Sequence, residues 1–135
     1  MQTKSEFLDQ AVELLGPRGL TGDADQIAPW LTDWRGRFTG QAMAMASPAN
    51  AAELAALVRL CAAHGVPIVP QGGNSGMSGG ATPDASGEAL LVSLRRMNTI
   101  RNLDADARQI TCEAGVILQD PVSYTHLTLP TSDLV

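Results

Sequence analysis

Apolar residues recur at helical spacing near the start of the chain, at Phe7, Leu8, Ala11, Val12, Leu14 and Leu15. They follow Thr3-x-x-Glu6, which has the form of a capping box. Gly16-Pro17 ends this first helix, because proline cannot continue the ladder and glycine tolerates a left-handed cap. Residues 21–40 are mixed in pattern and carry both tryptophans, Trp30 and Trp34. A short helical turn is expected within residues 24–31.

The pattern then sharpens. Residues 42–46 read as a short strand ended by Ser47-Pro48. Asn50 offers a helix cap, with Glu53 placed to reach back. Leu54, Leu57, Val58 and Cys61 follow the spacing of one buried helix face, and Ala51, Ala55, Ala56, Ala62 and Ala63 add propensity. His64-Gly65 closes that helix, where a polar or cationic residue suits the dipole, so His64 is expected to cap or face solvent. Residues 66–69 form the next strand. Residues 89–94 are a continuous apolar run, suited to a strand covered on both faces. Residues 98–103 and 109–113 flank a turn and predict a hairpin. The expected class is α/β (α+β), a small parallel βαβ sheet with flanking helices and the start of a second sheet.

Between two of these strands lies Pro70-Gln71-Gly72-Gly73-Asn74-Ser75-Gly76-Met77-Ser78-Gly79-Gly80. Glycine admits positive φ and removes the Cβ that keeps a ligand away. Successive N–H groups in such a run can form an anion-binding concavity. No Lys or Arg lies in the run, so a bound anion would be held by amides rather than by side-chain charge. Asp33, Arg35 and Arg37 flank an aromatic pair, and a solvated charged turn is preferred there over a clamp on a ligand. Arg95 and Arg96 are expected on the surface beside a strand end.

Composition narrows the class. At 135 residues and 44% hydrophobic, the chain suits one globular domain or part of a larger one. A net charge of −5 with nine scattered basic residues argues against a nucleic-acid surface or a polybasic membrane patch. No apolar run reaches transmembrane length, and no apolar signal core follows Met1, from which a cytoplasmic location is expected. Cys61 and Cys112 lack metal-ligand spacing and read as small buried hydrophobes.

Two familiar phosphate motifs fail. A P-loop needs Gly-Lys-Ser/Thr opening a helix, whereas Gly79-Gly80 runs into Ala81-Thr82-Pro83. A dinucleotide turn needs G-x-G-x-x-G opening a helix, but Asn74 falls where its second glycine belongs. A strand-to-loop nest with no helix behind it remains.

The order of Trp34-Arg35-Gly36-Arg37-Phe38-Thr39-Gly40, Pro48, Glu53, Val69-Pro70-Gln71-Gly72-Gly73-Asn74-Ser75-Gly76-Met77, Ser93, Met97-Asn98 and Ala114-Gly115 resembles FAD-linked oxidases of the vanillyl-alcohol oxidase or p-cresol methylhydroxylase (PCMH) type. The nearest branch in this resemblance is the D-2-hydroxy acid dehydrogenases, acting on D-lactate, D-2-hydroxyglutarate or glycolate. The resemblance implies the N-terminal part of a PCMH-type FAD-binding domain. It implies that Pro70, Gln71, Gly72, Gly73, Asn74, Ser75 and Gly76 wrap the FAD pyrophosphate, with Gly79 and Gly80 shaping the loop. Ser93, Leu94 and Met97 would lie near the flavin or its ribityl chain, although Leu94 and Met97 also suit plain core and Ser93 a turn cap. Ala114, Gly115 and Val116 would approach the cofactor again. Some relatives link FAD to a His at the position of Asn74, and an amide cannot form that bond, so FAD is expected to be non-covalent. The implied activity is oxidation of a small D-2-hydroxy acid, with hydride passing to flavin N5 and electrons to an external acceptor. No catalytic or metal residue of this chain is implied. An alcohol or aromatic oxidase of the same fold, or a non-catalytic fragment without tight ligand, stays open.

The organisation expected is a lead-in over residues 1–40, a partial FAD-binding domain over residues 41–121, and a non-native tail over residues 122–135. Val122-Ser123-Tyr124-Thr125-His126-Leu127-Thr128-Leu129-Pro130-Thr131 reads like a translated transposase adapter from a sequencing library. His126 and Tyr124 are therefore given no chemistry.

Overall fold

The computed structural model describes residues 4–117. Thr3 and the tail from residue 122 lie outside them. Helix α1 (Lys4–Leu15) buries Phe7, Ala11 and Leu15 and ends at Gly16 with φ 78°. Strand β1 (Leu20–Thr21), helix α2 (Ala24–Ile27) and a 3-10 turn (Ala28–Trp30) follow. Then come β2 (Ala44–Ala46), α3 (Ala51–His64), β3 (Ile68–Gln71), β4 (Leu90–Ser93), β5 (Ile100–Asp104) and β6 (Gln109–Cys112).

The main sheet has the order β1-β2-β4-β3. β4 runs parallel to both β2 and β3, so the β2–α3–β3 crossover leaves a gap that β4 fills. That central position explains its unbroken apolar run, since all four of its residues are buried. β1 adds an antiparallel edge to β2. It escapes pattern reading because two residues carry no periodicity. β5 and β6 pair as a separate antiparallel hairpin.

The core lies between the sheet and the helices and includes Phe7, Leu15, Ala44, Ala46, Leu57, Cys61, Leu90 and Val92. Helix α3 starts as its sequence predicts. Asn50 Oδ1 accepts the Glu53 N–H at 2.9 Å, and Glu53 Oε1 accepts the Ala49 N–H at 3.0 Å. Gly65 closes it at φ 67°. Asn50→Ala should therefore cost about 1 kcal/mol of stability, read as a lower urea midpoint with an unchanged slope.

Three expectations need correction. Val58 is exposed, because Leu57 and Cys61 form the buried line and Val58 sits a step around the helix. Cys112 is exposed on the hairpin, while Cys61 is buried and burial pushes its thiol up to about 11. His64 does more than cap. Its ring meets Phe7 edge-on at 5.4 Å and its Nε2 lies 3.0 Å from Gln10 Oε1, tying α3 to α1.

Candidate functional site

The parallel strands bring their carboxyl ends to one edge, with Ala46 opposite Val92 and Gln71 opposite Ser93. Crevices at such edges are where open α/β sheets bind ligands. The glycine loop leaves β3 there.

Its base is fixed by Gln71, which is 2% exposed. The Gln71 Nε2 donates to Trp30 O at 2.9 Å and to Ala81 O at 3.1 Å, joining the two feet of the loop to the 3-10 turn. Asn74 is one of only two non-glycine residues at positive φ among the described residues, at 57°. Its Nδ2 donates to Thr32 O at 3.0 Å. Gly79, at φ 77°, lies under the Phe38 ring, where an added Cβ would stand 3.0 Å from Cδ2.

The remaining loop glycines behave differently. Gly72, Gly73, Gly76 and Gly80 are not at positive φ. Nothing lies within 4 Å of where their Cβ would stand. Neither backbone conformation nor internal packing thus requires glycine at these positions. Among the described residues, no backbone N–H from Gly72 to Ala81 donates to an acceptor of the chain. Those amides are left for a ligand or water.

Backbone bonds gather the other predicted residues behind the loop. Leu94 N donates to Gln71 O at 2.9 Å, Met97 N to Leu94 O at 3.0 Å, and Gly115 N to Met97 O at 2.9 Å. Ser93, Met97 and Gly115 are buried, whereas Pro70, Ser75 and Ala114 are exposed and Val116 is half-buried. Gly115 has a packing reason of its own, since a Cβ would sit 1.6 Å from Leu94 O. Leu94 packs against the core, in keeping with the plainer reading of that residue.

Beside this relay is a cavity of about 410 Å³ lined by Trp30, Ser47, Ser93, Arg95, Arg96 and Gly115 among others. The Arg95 guanidinium lies 4.5 Å above the Trp30 ring, and Arg96 Nη1 donates to Ser47 O at 2.8 Å. Both arginines are exposed beside the end of β4, as expected, and line this open cavity. Asp33 departs from expectation. It is 5% exposed rather than solvated, and it closes the turn that holds Arg35 and Arg37. Sequence reading missed Trp30 and Thr32 because their contacts to the loop run through backbone carbonyls, which leave no mark on residue type.

An α/β domain with a cation-free loop of unbonded amides at its strand ends has the form of an anion-accepting nest. The chain belongs to the family described as FAD binding domain, whose profile matches residues 42–131. It is 32% identical over 113 residues to the probable mitochondrial D-2-hydroxyglutarate dehydrogenase of Oryza sativa subsp. indica, covering 84% of this chain and 20% of that protein. It is 38% identical over 112 residues to the D-2-hydroxyglutarate dehydrogenase of Xanthomonas citri pv. viticola, covering 83% and 23%. The chain thus spans about a fifth of these relatives. In fold it resembles p-cresol methylhydroxylase, with TM-score 0.75 and 23% identity over 93% of this chain and 25% of that one. Alkyldihydroxyacetonephosphate synthase gives 0.79 and 20% over the same 93% and 25%. The fold is that of a PCMH-type FAD-binding domain. Among the described residues, no helix is long and apolar enough to cross a membrane.

Proposed function

We propose that this chain holds the pyrophosphate of a non-covalently bound FAD in a dehydrogenase of small D-2-hydroxy acids. The observation that carries the reading is the set of loop glycines without an internal reason to be glycine. A Cβ at Gly72, Gly73 or Gly76 would meet nothing of the chain, so its absence serves a group that approaches from outside. The unbonded amides beside them suit phosphate oxygens, and the orphaned, buried Gln71 Oε1 is an acceptor suited to a hydroxyl or N–H of the cofactor rather than to its phosphate oxygens. The residues present therefore fit the group.

In this reading the amides of residues 72–76 donate to the pyrophosphate and Ser75 adds a side-chain bond, while Gln71, paired in β3, and Asn74, bonded to Thr32 O, hold the loop in place. Gly79 and Gly80 set the path of the loop. Ser93, Leu94 and Met97 border the flavin side, and Ala114, Gly115 and Val116 close on it. Asn74 offers no nucleophile for a flavin link, which favours non-covalent binding. When bound, the flavin supplies the hydride acceptor for the substrate carbon, a chemistry that belongs to the cofactor. The base, any metal and most substrate contacts are assigned to the remaining four-fifths of an enzyme of the relatives' length. The cytoplasmic placement belongs to the same proposal, although the rice relative is named as mitochondrial. So does the reading of residues 122–135 as adapter-derived, which an independent gene sequence tests.

The direct experiment adds FAD to the purified chain and follows flavin fluorescence and melting temperature. Quenched flavin fluorescence, a raised melting point and release of intact FAD on denaturation are expected. Absence of any response would favour a fragment without tight ligand. Turnover of D-2-hydroxyglutarate, D-lactate and aromatic alcohols by the chain joined to a full-length relative's remainder separates the dehydrogenase from an alcohol or aromatic oxidase.

A further inference from the structure

Three pins of the glycine loop land on one neighbouring segment. Gln71 reaches Trp30 O, Asn74 reaches Thr32 O, and Gly79 meets the Phe38 ring. What shapes that segment is Asp33. Its Oδ1 accepts the N–H of Arg37 at 2.6 Å and of Phe38 at 2.9 Å. Its own N–H donates to Phe38 O at 3.0 Å, and its carbonyl accepts the Gly36 N–H at 3.0 Å. One residue thus closes both sides of the 33–38 turn through charge-assisted bonds. The Phe38 N–H, with the Arg37 N–H, holds the carboxyl below the usual carboxylate range although burial acts the other way. Its Oδ2 is buried without a partner among the described residues.

We propose that Asp33 is a positioning residue of the cofactor loop: its carboxylate sets the 33–38 turn, and the turn holds Asn74 and Gly79 in the conformations that leave the loop amides unbonded. The inference rests on the FAD reading above. Asp33 does not touch the cofactor in this scheme and acts through Thr32 and Phe38.

The test compares the wild-type chain with Asp33→Ala, Asp33→Asn, Phe38→Ala and Asn50→Ala. FAD affinity is read from flavin fluorescence, and the Asn74 side-chain amide is followed by NMR. Asp33→Ala should weaken FAD about tenfold or more, a fraction of what two bonds to a charged group are worth because the loss reaches the loop only through Thr32 and Phe38, and move the Asn74 amide signals to solvated positions. Asp33→Asn keeps an oxygen acceptor and should recover affinity to within about threefold of wild type. Phe38→Ala removes an exposed ring rather than core and should also weaken FAD, which keeps the proposal testable if Asp33→Ala does not fold. Asn50→Ala loses stability in α3 and should bind FAD as wild type does. Unchanged affinity and unmoved Asn74 signals in Asp33→Ala would overturn the proposal, as would an equal loss in Asn50→Ala. Should the wild-type chain bind no flavin, the FAD reading fails by itself. The Asn74 signals then decide alone whether Asp33 shapes the loop.

Discussion

Gly40→Ala should unfold this chain far below the wild-type melting temperature. Gly40 is buried, its N–H donates to Leu31 O at 2.9 Å, and the next residue, Gln41, donates to Asp84 O at 2.8 Å. An added Cβ would stand 1.7 Å from Pro83 O and 2.5 Å from Pro83 C. Those are backbone atoms, so no rotamer change relieves the overlap. The strand lead-in and the 82–87 turn must separate, breaking the Gln41 bond. Overpacking of this kind costs about 3 kcal/mol at the upper end of its usual range. For a domain of this size that lowers the melting point by more than about 10 °C. Gly76→Ala serves as control, since nothing lies within 4 Å of its Cβ position. Thermal melts within a degree or two of wild type for Gly40→Ala would mean that the two segments do not touch.

Gly73→Asp should do the reverse, keeping the fold and losing the cofactor. Gly73 is exposed, is not at positive φ and has no neighbour within 4 Å of a Cβ. A side chain there strains nothing in the free chain, and the melting temperature without FAD should hold. If the pyrophosphate sits on this loop, the new carboxylate faces another anion across a few ångströms. Two like charges about 4 Å apart repel by about 4 kcal/mol at an effective dielectric near 20. Solvent at this exposed loop reduces that, so an affinity loss of about a hundredfold is expected. Gly73→Asn occupies the same space without charge and should lose less. The gap between the two variants should shrink at high salt. Wild-type FAD affinity in Gly73→Asp would remove the loop from the cofactor site.

The two glycines look alike in the chain, and the difference between them shows where sequence reading stops. Glycine marks either a crowded backbone or an approach for something else, and only the neighbours tell which. Gly115 is a similar case, since the close approach of Leu94 O explains it without reference to a ligand. Asp33 misled for a related reason. A charged residue beside two arginines suggests a solvated turn, and its burial depends on a turn that returns the Arg37 and Phe38 amides to its carboxylate. Val58 and Cys112 were misplaced because spacing identifies a stripe or a strand but not how far its margins are covered.

Local chemistry alone determined the elements whose causes lie within a few residues: α1 up to Gly16, α3 between Asn50 and Gly65, the apolar β4, the hairpin, and an unusual amide-rich loop after β3. Tertiary structure alone decided the strand order that places β4 between β2 and β3, the antiparallel edge of β1, and the attachment of the loop to Trp30, Thr32 and Phe38. The physical reason is range. Caps, propensity and periodicity act over one or two turns, whereas Gln71 and Asn74 find carbonyls 41 and 42 residues away, and backbone acceptors look the same whatever side chain they carry.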